Sequence, residues 1–114
     1  MNSHAKGLKA EKLAEIALML KGYRILARRF KTPAGEVDIV ARRGQVLAFV
    51  EVKHRKSHDA AAESITAHNR ARVRNATALY LQEHPQYTDM DIRFDAMVVT
   101  PGAWPRHIVQ AWED

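Results

Sequence analysis

Gly35-Glu36-Val37-Asp38-Ile39-Val40 and Val50-Glu51-Val52-Lys53 decide how this chain is read. Both segments are rich in β-branched residues, which favour strands. Both also carry charge, and charge among packed valines is costly unless it binds something. The spacing predicts two strands, roughly 36–42 and 46–54, joined at Arg42-Arg43-Gly44-Gln45. With an even loop such as Arg43-Gly44, position 41 faces 46, 38 faces 49 and 36 faces 51. One face then carries Val40, Leu47 and Phe49 near the turn, and Glu36, Asp38, Glu51 and Lys53 at the far end. The opposite face carries Val37, Ile39, Ala41, Val46, Ala48, Val50 and Val52, all apolar. An odd loop would put Asp38 and Glu51 on opposite faces and mix charge into the apolar one. The even loop makes them diagonal neighbours about 7–8 Å apart, close enough to reach one cation. Lys53 projects beside Glu51. A hairpin with one solvated, salt-bridged face would carry similar letters. Against it stand the near-continuous apolar run Val46–Val52 and the gathering of the acids at one end.

The totals set bounds on partners and metals. One domain spanning residues 1–114 fits the length, with residues 1–5 as a loose start. With no cysteine, disulfides and thiolate metal sites are excluded. A carboxylate-led site favours Mg²⁺ or Mn²⁺. Lys plus Arg number 18 against 13 Asp plus Glu, a basic balance compatible with nucleic acid. Leu13–Leu20 is too short for a membrane span and is interrupted by Glu15, so a cytoplasmic protein is expected.

Around the hairpin, the chain reads as follows. Leu13, Ile16, Ala17 and Leu20 recur at helical intervals, predicting a helix over about Lys6–Lys21 that ends at Gly22. Glu11 sits at the edge of that stripe, where a solvated glutamate near the positive helix N-terminus is the simplest reading. Tyr23–Phe30 is a first strand, and Thr32-Pro33-Ala34-Gly35 a turn. A second helix is expected over about Asp59–Glu83, with Asp59 as N-cap and Ile65, Val73, Ala76 and Leu79 or Tyr80 inward. Asn69 and Arg72 fall near that inner stripe, while Arg70 and Arg74 point away. Asp91–Thr100 and Arg106–Trp112 are the last strands, the final one at an edge. His54 and His58 could share a metal only on one helix, and the junction there is strand to helix. Trp104 and Trp112 are expected to pack rather than stack on bases. Neither a glycine-rich phosphate loop nor a serine elbow is present.

Asp38, twelve residues, Glu51, Val52 and Lys53 resemble the PD-(D/E)xK nuclease core. Gly7-x-x-x-Glu11, Gly22-Tyr23-Arg24-Ile25-Leu26, Gly35-Glu36-Val37-Asp38-Ile39-Val40, Phe49-Val50-Glu51-Val52-Lys53 and Arg93-Phe94-Asp95 follow in order. Together they resemble the YraN family of predicted endonucleases, related to archaeal Holliday-junction resolvases. The resemblance implies an α/β (α+β) restriction-endonuclease-like core, a mixed sheet flanked by helices in the order αβββαββ. It implies an active set of Glu11, Asp38, Glu51 and Lys53. Two departures are visible: Asn69 stands near a helix turn where the pattern has lysine, and Ala10 where it has glycine.

On that footing the expectation is a Mg²⁺- or Mn²⁺-dependent DNA endonuclease of resolvase-like type, with branched DNA among its expected substrates. Asp38, Glu51 and the Val52 carbonyl would hold the cation, and Glu11 would serve a second one. Lys53 would orient or deprotonate water, or neutralise charge growing on phosphorus. Glu36 and Asn69 would support the site from outside it. Arg28, Arg29, Arg42, Arg43, Arg55, Lys56 and Arg72 would contact phosphates of branched or double-stranded DNA. A homodimer would place two sites on one substrate. The alternatives are a non-catalytic nucleic-acid-binding module on the same fold, which Asn69 permits, and a protein-interaction domain.

Overall fold

A computed structural model of the chain describes residues 3–55 and 67–112. Helix α1 (Ser3–Leu20) leads into β1 (Arg24–Thr32), β2 (Gly35–Arg43) and β3 (Val46–His54). Helix α2 (Ala67–Glu83), a 3₁₀ turn (Pro85–Tyr87), β4 (Asp91–Val99) and β5 (Arg106–Ile108) follow. The strands form one sheet in the order β1-β2-β3-β4-β5, antiparallel except for the parallel β3–β4 pair. Helix α1 covers one face and α2 the other, each over its own core. The mixed sheet and the order αβββαββ match expectation. Lys56, His58, Asp59 and Ile65 lie outside the described residues.

Several local expectations need correction. The hairpin turn is Gly44-Gln45, so Ala41 faces Ala48 and Val40 faces Phe49, a slide of two positions. Gly44 has φ 61°, the positive value that the first residue of a II′ turn requires. A slide of two preserves side-chain parity, so Val40, Leu47 and Phe49 still share a face, here against α2. Val37 does not follow the alternation. It joins Val40 in the α2 core, as Phe30 joins Ala27 on the neighbouring strand. The β1–β2 register shifts between Ile25 and Ala27, and farther along β1, between the Arg28–Ile39 and Phe30–Val37 pairs, Arg29 takes a left-handed φ of 50°.

Helix α1 starts at Ser3, ahead of the expected Lys6, and ends in a turn where the Tyr23 N–H bonds the Leu18 carbonyl and Gly22 sits at φ 91°. Its buried stripe is Ala10, Ala14, Ala17 and Leu18, and Leu20 is 73 % exposed. Of the expected stripe Ala17 is buried, Leu13 and Ile16 are half-buried and Leu20 points out, and Ala10, Ala14 and Leu18 complete the contact. In α2, Val73, Ala76 and Tyr80 are buried as expected, and Tyr80 rather than Leu79 takes the inner position. Arg70, expected to point outward, is half-buried with its Nε shielded. The last strand stops at Ile108, and Trp112 instead stacks on Phe94 at 4.2 Å between ring centroids. Trp104, expected to pack, is 60 % exposed.

Candidate functional site at the end of the β2–β3 ladder

Pairing between β2 and β3 stops at Ile39–Val50. Asp38 and Glu51 are the next residue on each strand, so they stand at the fork where the ladder opens. The Asp38 side chain takes the place of the missing rung: its Oδ2 accepts a 2.7 Å hydrogen bond from the Val52 N–H. Lys53, two residues beyond Glu51, places Nζ 3.0 Å from Glu51 Oε1, and both side chains are mostly covered. Asp38 lines a cleft on the α1 side with Leu8, Glu11 and Glu15. Ala10 and Ala14, flanking Glu11, hold α1 close to the sheet.

Electrostatics mark Asp38. Burial pushes its carboxyl up, the Val52 N–H opposes, Glu11 and Glu51 push it further, and Lys53 opposes again; the result is a pKa of about 6. Glu11 and Glu51 therefore act on Asp38 as like charges. Glu51 Oε2 is buried without a hydrogen-bond partner among the described residues. Arg29 Nε forms an ion pair with Glu11 Oε2 at 3.2 Å. A buried carboxylate oxygen lacking a donor, beside an acid held partly neutral, suits a hard cation. Among the described residues no three His, Asp or Glu side chains form a ready-made metal cluster. Mg²⁺ is nevertheless commonly held by one or two carboxylates with water, so Asp38, Glu51 and the Val52 carbonyl fit as donors.

The structure thus gathers Glu11, Asp38, Glu51 and Lys53 around the fork. The others are dispersed. Glu36, expected behind the acids, is exposed beside Lys31 and is not among the groups acting on Asp38. Arg28 and Arg29 are drawn into carboxylate pairs, Arg28 Nε lying 2.6 Å from Glu15 Oε1. Arg42 and Arg43 sit at the turn end, over Tyr87 and Tyr23 respectively. Arg55 Nη1 bonds the His54 carbonyl at 2.8 Å. Asn69 and Arg72 are half-buried on α2, and the Arg72 carbonyl abuts Gly35. Sequence reasoning missed one cluster. Asp95 is fully buried, 2.7 Å from both Arg93 Nη2 and His107 Nε2, and Arg93 also reaches the Tyr23 hydroxyl. The alternation Arg93-Phe94-Asp95 put both charges on one face, which was the available signal.

Fold and site together define a three-layer mixed-sheet domain with an acid-and-lysine cluster at a strand fork. The chain belongs to the uncharacterised protein family UPF0102, whose model matches residues 10–99. It is 52 % identical over 106 residues to a UPF0102 protein of Parvibaculum lavamentivorans, covering 93 % of this chain and 80 % of that one. It is 52 % identical over 107 residues to one of Nitrobacter winogradskyi, covering 94 % and 91 %, and 51 % identical over 111 residues to one of Methylorubrum extorquens, covering 97 % and 87 %. The matched span contains Glu11, Asp38, Glu51 and Lys53. Among the described residues, no helix is long and apolar enough to cross a membrane.

Proposed function

We propose that the chain is a divalent-cation-dependent nuclease of the PD-(D/E)xK type, hydrolysing phosphodiester bonds in DNA. The observation that carries this reading is the fork itself: Asp38 and Glu51 immediately beyond the last β2–β3 pair, with Lys53 ion-paired to Glu51. Asp38, Glu51 and the Val52 carbonyl would hold Mg²⁺ or Mn²⁺, which supplies Lewis acidity and a usable hydroxide near neutral pH. Asp38 is fixed for this by the Val52 N–H. Lys53 presents its ammonium where negative charge grows on the phosphoryl oxygens, and Glu51 holds it in place. Glu11 adds a third carboxylate from α1, steadied by Arg29. The basic surplus supports a polyanionic substrate, with salt-sensitive binding.

Cleavage of nicked, branched and single-stranded DNA with Mg²⁺ or Mn²⁺ tests the reading. Wild type should cut at least one of these, and Asp38→Asn and Lys53→Ala should each lose about 100-fold or more. Full activity in Asp38→Asn would place the chemistry elsewhere. One observation favours a second reading, a non-cleaving DNA-binding module: Glu11 and Glu51 are engaged by Arg29 and Lys53 rather than converging on one point. That reading predicts DNA binding with no cleavage under any of these conditions.

A further inference from the structure

A groove of about 540 Å³ opens on the α1 side, at the end of β3 just beyond Lys53. One wall is α1 at Lys9, Ala10 and Leu13, the residues that bracket Glu11. The other wall is the end of β3 at His54, directly after Lys53, and the loop from Thr100 to Trp104 that follows β4. The lining is mainly apolar. Trp104 is 60 % exposed and, among the described residues, has no ring partner, unlike Trp112 on Phe94. Exposing an indole by more than half its surface is unfavourable unless something covers it.

The rim narrows the choice of occupant. Lys9 and His54 are at the mouth, and Arg55 follows, its N–H bonded to the Val99 carbonyl. An exposed aromatic face with the Lys9 ammonium beside it makes a stacking platform for a nucleobase with its phosphate. A paired base cannot enter such a groove, because its faces are already stacked and its edge is occupied. We infer that this groove is a subsite for one unpaired nucleotide beside the scissile phosphate, its base stacked on Trp104. The substrate class is thereby a nucleic acid with a single-stranded segment or displaced base next to the point of attack. The inference rests on the phosphodiester reading of the adjoining fork.

Binding is measured in EDTA, so that cleavage does not enter. A labelled duplex with a short single-stranded flap and the matching blunt duplex are titrated by anisotropy, and tryptophan emission is followed in parallel. Trp112 is buried, so quenching reports Trp104. Binding of the flapped DNA should quench emission. Trp104→Ala should weaken it about 5- to 150-fold and leave the blunt duplex within twofold, and Trp104→Phe should restore most of the loss. Equal weakening of both DNAs, no weakening, or no DNA binding by wild type would each overturn the inference. If the discrimination holds but Mg²⁺ and Mn²⁺ support no cleavage, the subsite stands and the nuclease reading falls.

Discussion

Asp38 concentrates the residue-scale consequences. Its carboxyl, raised from 3.8 to about 6, keeps a proton in the folded state that the unfolded chain has already released between those values. Stability therefore falls as pH rises through that window, and the penalty is complete above it, amounting to about 3 kcal/mol at most. Asp38→Asn should stabilise the metal-free protein at pH 7–8 by about 1–3 kcal/mol, because an amide oxygen can still accept from the Val52 N–H. Denaturant titrations with and without Mg²⁺ check this, and the cation should stabilise wild type but not the variant. The Val52 amide offers a direct readout, since its proton shift should titrate near pH 6. The D-x₁₂-E-x-K spacing made this site legible. What it did not contain was Arg29. A left-handed residue inside a strand leaves no trace in apolar alternation, so the pairing of Arg29 with Glu11 was not readable.

At the scale of elements, α2 meets β2 through backbone. A Cβ on Gly35 would lie 1.9 Å from the Arg72 carbonyl oxygen, and Asn75 Nδ2 donates to the Ala34 carbonyl at 3.0 Å. Gly35→Ala must displace the helix or the strand and should cost about 1–3 kcal/mol or more, read as a drop in denaturation midpoint. Asn75→Ala, which removes one exposed hydrogen bond, should cost about 1 kcal/mol or less. Element types and order were readable because turns and apolar runs punctuate this chain clearly. The face of α1 was not. Leu13, Ile16 and Leu20 are strong hydrophobes, yet Ala10, Ala14, Ala17 and Leu18 are the buried residues, because the stripe that meets the sheet is rotated from the one that the large side chains mark. The two-position slide in the hairpin kept Val40, Leu47 and Phe49 on one face, while Val37 joined them and Asp38 came to line the cleft on the α1 side.

For the whole molecule, Asp95 joins parts far apart in sequence. It accepts from Arg93, from His107 of β5 and from the Gln110 N–H, and Arg93 carries the network to Tyr23 below α1. Burial alone would raise its pKa, but the hydrogen bonds from His107, Arg93 and Gln110 outweigh it and hold the value near 2. Its contribution is present above the ordinary carboxylate range and lost as pH falls toward 2. Taken with Asp38, these two groups give metal-free protein a stability that climbs from about pH 2 to 4 and declines from about 4 to 6. Thermal melts across that range check the shape, and Asp95→Ala should remove the acid limb while costing about 3–5 kcal/mol. The two cores also differ in grain. Aromatic rings fill the α2 side, whereas alanines set how near α1 lies to the sheet. That near approach makes the gap between layers an adjustable dimension of the site. Enlarging Ala14 stepwise to Val and Leu should lift α1 like a shim, withdrawing Glu11 from the fork while Asp38, Glu51 and Lys53 stay on their strands. Cleavage would then fall in graded fashion, by about 100-fold for each ångström of lift, in protein that circular dichroism still finds folded.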